Sequence, residues 1–197
     1  MKRITKKFFL TASLASVFSM PVGASTLALP ADSQWYSFDV DSSYALSGGS
    51  EWIDAQSSTG YSNDGSALHF TFNLLTDASL TIVDGGFAGD QFQVFDNGNS
   101  LGYTSAPINT YPTSVGSNFD AALADPNYSS AVFYLTAGLH DITGLLSLSA
   151  TVNGDPIFNA TIGALSLTPT AVPIPGALAL FLAGTGLMGF ISRRRAK

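Results

Sequence analysis

The chain has 197 residues, 46% of them hydrophobic, and a net charge of −6. It contains no Cys, which excludes disulfides, thiol nucleophiles and Cys-based metal sites. All eight basic residues lie at the two ends (Lys2, Arg3, Lys6, Lys7, Arg193, Arg194, Arg195 and Lys197), while every acid falls between Asp32 and Asp155, so the body repels nucleic acid and excludes DNA or RNA binding.

The N-terminal layout is that of a secretory signal peptide. Residues 2–7 are positively charged, residues 8–20 are apolar, and Pro21, Val22, Gly23 and Ala24 follow with small side chains. This order predicts residues 1–24 as a signal peptide that signal peptidase cuts after Ala24. The apolar run is too short to cross about 30 Å of hydrocarbon as a helix.

Next comes a body whose pattern is β. Strands are expected over residues 35–40, 67–75, 79–83 and 131–136. In residues 67–75, Leu68, Phe70, Phe72 and Leu74 alternate with His69, Thr71 and Asn73, giving one apolar face. Asn97-Gly98 predicts a tight hairpin joining residues 91–96 to 99–104. Asn153-Gly154 predicts a second one, joining residues 146–152 to a strand carrying Phe158, Ala160 and Ile162. The one helical stretch is short, at residues 118–124. Many short strands with Gly, Asn, Asp and Ser turns predict an antiparallel β-sandwich over residues 25–167, a jelly roll among the sandwiches. Residues 168–171 read as a linker.

The tail then changes character. Val172, Pro173, Ile174, Pro175 and Gly176 form a Pro motif, and residues 174–191 carry no charge. Those 18 residues would make about 27 Å of helix, near the short end of the membrane-spanning range. Arg193, Arg194 and Arg195 follow as a basic stop, which the positive-inside rule keeps on the cytoplasmic side. Two prolines fix an extended segment just before the span, a form that a peptide-cleaving site can bind.

Motif, apolar span and Arg cluster together resemble the PEP-CTERM sorting signal of Gram-negative bacteria, over residues 172–197. The Glu that gives the motif its name is replaced here by Ile174. The Gly-rich segment at residues 84–98 is also similar to one found in exported β domains of that family. The resemblance implies recognition by exosortase, a membrane transpeptidase-like enzyme, and removal of the tail near residues 173–176. It further implies a protein of the envelope or extracellular matrix, associated with exopolysaccharide and biofilm.

Candidate chemistry in the body is sparse. Asp84, Asp90 and Asp96 flank the Gly-rich segment and are a candidate Ca²⁺ set, since Ca²⁺ takes several oxygen ligands. Their spacing differs from an EF-hand loop, and turn chemistry is the alternative. His69 and His140 are candidate general bases, but no nucleophile motif or zinc spacing accompanies them. Trp35, Trp52, Tyr61, Tyr103 and Tyr111 lie near turns, where rings can stack on sugars or pack into the core. The sequence thus predicts an exported, non-enzymatic protein tethered through its C-terminal span before processing. The alternatives are a Ca²⁺-assisted carbohydrate-binding module and an envelope hydrolase built on Asp residues.

Overall fold

The computed structural model describes residues 23–54, 64–157 and 161–170. The expected signal peptide up to Val22, Tyr61, Phe158, Ala160 and the whole sorting tail lie outside the described residues. Among the described residues, no helix is long and apolar enough to cross a membrane.

The fold is all-β and mostly antiparallel. In chain order the strands are β1 (Ala24–Ala28), β2 (Tyr36–Val40), β3 (Ala67–Leu74), β4 (Ala78–Asp84), β5 (Gly86–Phe87), β6 (Gln91–Asp96) and β7 (Asn99–Tyr103). Then come β8 (Ser114–Gly116), α1 (Phe119–Ala124), β9 (Ser130–Leu135), β10 (Gly138–Leu148), β11 (Thr151–Val152), β12 (Asp155–Pro156) and β13 (Thr161–Pro169). One sheet has the order β1-β3-β10-β6-β7 and the other β2-β13-β4-β9, with two small pairs, β5-β8 and β11-β12. From β2 to β6 the chain changes sheet at every step, leaving out the short β5. It stays in one sheet through the β6–β7 hairpin and alternates again through β9, β10 and β13.

Alternation of side chains explains the two-layer form. Leu68, Phe70, Phe92, Val94 and Ile142 of the first sheet share one buried core with Phe38, Leu80, Ile82, Leu165 and Leu167 of the second. Each fully buried apolar side chain contributes about 1.5–3 kcal/mol. Phe38 crosses the interior: it stacks on Trp52 at 3.8 Å and meets Phe92 edge-on at 5.1 Å. Trp52 in turn lies against Gly144 of β10, where an added Cβ would come within 2.1 Å of the indole Cε2.

The β6–β7 hairpin turns on Asn97 and Gly98, both with positive φ as a two-residue turn requires. Asn118 caps α1 by accepting a hydrogen bond from the Ala121 amide.

Four expectations need correction. The strand expected at residues 146–152 is really the end of β10, which begins at Gly138 and stops at Leu148. Its register against β6 slips between Leu146 and Leu148, and the Ala150 amide leaves the ladder to donate to Asp90 Oδ1 at 2.7 Å. Asn153-Gly154 does form its turn, but between the two-residue strands β11 and β12. The antiparallel rule fails at β1, which pairs parallel with β3 from Ala24↔Ala67 to Ala28↔Thr71. Finally, Thr168 and Pro169, expected in a linker, pair with Ser79 and Ala78 in β4, and the Thr170 amide bonds Asp77 O at 2.9 Å.

Candidate functional site

The segment from Asp84 to Asp90 carries the chain from β4 in one sheet to β6 in the other. It turns a corner at the end of the sandwich, where the Gly89, Asp90 and Ala150 amides are taken by the two Asp side chains. Asp84 Oδ2 accepts from the Gly89 amide at 3.3 Å and the Asp90 amide at 3.2 Å. Asp90 Oδ1 takes the Ala150 amide described above. Tyr128 closes the corner from below: its hydroxyl donates to Gly86 O and accepts from the Val115 amide, each at 3.0 Å.

Both carboxyl groups are buried, Asp84 fully and Asp90 to 2% exposure. Burial, reinforced by the neighbouring Asp90 charge, pushes the Asp84 carboxyl up to about 9. Burial raises Asp90 to about 6, opposed by the Ala150 amide and by the hydroxyls of Thr161 and Ser149. Asp84 therefore holds a proton at neutral pH. Two buried oxygens here, Asp84 Oδ1 and Thr161 Oγ1, make no hydrogen bond of ordinary geometry.

Asp96 does not join them. It ends β6, six residues beyond Asp90 or about 20 Å along an extended strand, and accepts from His140 Nδ1 at 2.8 Å. Among the described residues, no three of His, Cys, Asp and Glu gather as metal ligands. Strand β6 thus sets Asp96 apart from Asp84 and Asp90, which share the corner.

The two histidines are held in the first sheet by carboxylates of neighbouring strands. His69 of β3 meets Asp141 of β10 at 2.9 Å, with about a third of each side chain exposed. His140 of β10 is almost buried, stacks on Phe72 at 5.2 Å, and places Nε2 2.9 Å from Thr136 O. Of the candidate sugar-stacking rings, Trp52 is core and Trp35 donates its indole N–H to Asp120. Tyr103 and Tyr111 remain exposed.

A second acidic site, which sequence reading missed, lies at the start of β1. Ser25 Oγ donates to Asp54 Oδ2 at 2.8 Å, across 29 residues of chain. Asp54 is fully buried at the wall of a cleft of about 630 Å³ that Asp64 and Ser66 also line. No local pattern marks such a pair, since both residues are ordinary turn formers.

Comparison with protein-family models and with curated proteins returns no match. Among solved structures the chain is similar to the pre-peptidase C-terminal domain of collagenase from Bacillus anthracis, with a TM-score of 0.34 and 12% identity. That alignment covers 76% of this chain and 98% of the other.

Proposed function

We propose that this chain is an exported, non-enzymatic cell-surface or extracellular-matrix protein, delivered by a cleaved signal peptide and sorted through residues 172–197 by an exosortase-like enzyme. The observation that carries this reading is the partition of charge: no Lys or Arg occurs from residue 8 to residue 192. Basic residues at both tips fit translocation signals, and the acidic body between them is the cargo. The last strand among the described residues ends at Pro169, three residues before the Pro motif at Val172, which supports a body separate from the tail. The alternation of its strands between two sheets supports a jelly roll. In this account the tail spans the inner membrane until the sorting enzyme cuts near the motif. The released body joins the envelope polysaccharide.

Truncation after Ala171 tests the reading. The full chain should reach the surface or matrix, and the truncated chain should accumulate as soluble periplasmic protein. Retention of both forms in the cytoplasm would overturn it.

A Ca²⁺-assisted carbohydrate-binding module is a second reading. It is favoured by the buried Asp84 Oδ1, which makes no hydrogen bond of ordinary geometry beside Asp90 and is an oxygen of the kind a hard cation takes. Titration with Ca²⁺ and glycans separates the two, and no thermal shift with either excludes the second.

A further inference from the structure

The cleft at the start of β1 lies where the expected signal cleavage falls. Gly23, Ala24 and Ser25 form part of its wall together with Asp54, Asp64 and Ser66. Hydrolysis of the Ala24–Ser25 bond adds one water, leaving a carboxyl on the departing Ala24 and an amine on Ser25 that takes up a proton. β1 would then begin at Ser25, still paired with Leu68 of β3, and the space beside it would be vacated.

We propose that this cleft is the docking site for the chain's own α-ammonium group at Ser25, so that signal cleavage completes the fold. The inference rests on the export reading above and on cleavage after Ala24. Three bonds of about 1.5 Å join the Ser25 nitrogen to Oγ, which keeps the nitrogen within about 6.5 Å of Asp54 Oδ2. Opposite charges couple at about that range. Asp54, Asp64 and Ser66 line the same cleft as Ser25 and bring oxygen acceptors to it. Asp54 is buried, and the Asp64 carboxyl is held below its ordinary range by hydrogen bonds from the Ser66 side chain and amide. Ser66 Oγ, on a residue only 3% exposed, has no partner at ordinary hydrogen-bond geometry, and its lone pairs stay open even where its O–H turns toward Asp64. The amine is also the strongest cation this body can gain, since residues 25–192 contain no Lys or Arg.

The test uses the full chain, exported through its own leader and recovered from the envelope. Mass analysis of the N-terminal peptide comes first. The free chain is then compared with chains whose amine is acetylated, which removes the charge, or reductively dimethylated, which keeps it. Residues 25–192 offer these reagents no other amine. At about pH 6, below the ordinary α-amine range, acetylation should lower Tm by about 3 °C or more. Dimethylation should cost less than half of that, and Asp54→Asn should remove the difference. Should Asp54→Asn fail to fold, the exposed Asp64→Asn should reduce it. A Ser25 terminus with free and acetylated chains melting within about 1 °C of each other would overturn the inference and leave the export reading standing. A rise in Tm with Ca²⁺ that survives acetylation and needs Asp54 would overturn it in favour of a metal site. A different terminus would overturn the Ala24 cleavage itself, and the docking with it.

Discussion

Asp84 and Asp90 meet at the corner between the two sheets, where Asp84 Oδ2 accepts the Asp90 amide at 3.2 Å while its other oxygen has no partner. Two buried carboxyl groups placed together cannot both ionise cheaply, so the folded chain retains a proton that the unfolded chain releases.

Stability should therefore depend on pH in a defined direction. The folded values of about 9 for Asp84 and about 6 for Asp90 lie above the ordinary Asp value near 3.9. A raised folded value means that the stabilisation is complete below about pH 4 and is lost as pH rises through the folded values. Tm should fall between about pH 4 and pH 9, most steeply up to about pH 6, where both carboxyl groups hold protons that the unfolded chain releases, and less steeply above it, where Asp84 alone does. Asp84→Asn, which carries no titrating group, should flatten that upper part. Melting curves of both proteins across this range check it, and a Tm that rises with pH would contradict it.

The Trp52–Gly144 contact sets a second expectation. A methyl group on Gly144 would overlap the indole ring in the middle of the core, so Gly144→Ala should destabilise by about 3 kcal/mol. Trp52→Phe should cost less, about 1 kcal/mol, because it also removes a buried indole N–H that has no partner. Denaturant unfolding of the two variants gives the order directly.

The histidines should separate by burial. His140→Ala breaks contacts to Asp96, Thr136 and Phe72 in a nearly closed setting, and should cost about 2–3 kcal/mol. His69→Ala removes a half-exposed pair with Asp141, worth less than about 1 kcal/mol. The same unfolding measurement ranks them, and equal losses would contradict the assignment.

What the sequence made legible was local. Alternation in Leu68, Phe70, Phe72 and Leu74 marks β3, and Asn97-Gly98 marks the β6–β7 turn, because each depends on near neighbours alone. By contrast, β10 has Gly144 where alternation calls for an apolar residue, since the space belongs to Trp52. β13 is a central strand buried on both faces from Gly163 to Leu167, which erases the two-residue period. The site divides in the same way. Asp84 and Asp90 meet through a short corner loop, while the intervening strand β6 carries Asp96 out of reach. The Ser25–Asp54 contact spans separate segments and has no local signature at all.

The proposed function requires processing at both ends of an acidic body. Its most direct test is the intact mass of the protein recovered from the cell surface or matrix. The predicted species starts at Ser25 and ends within residues 173–176. Recovery of a chain that still carries residues 1–24 and ends at Lys197 would contradict it.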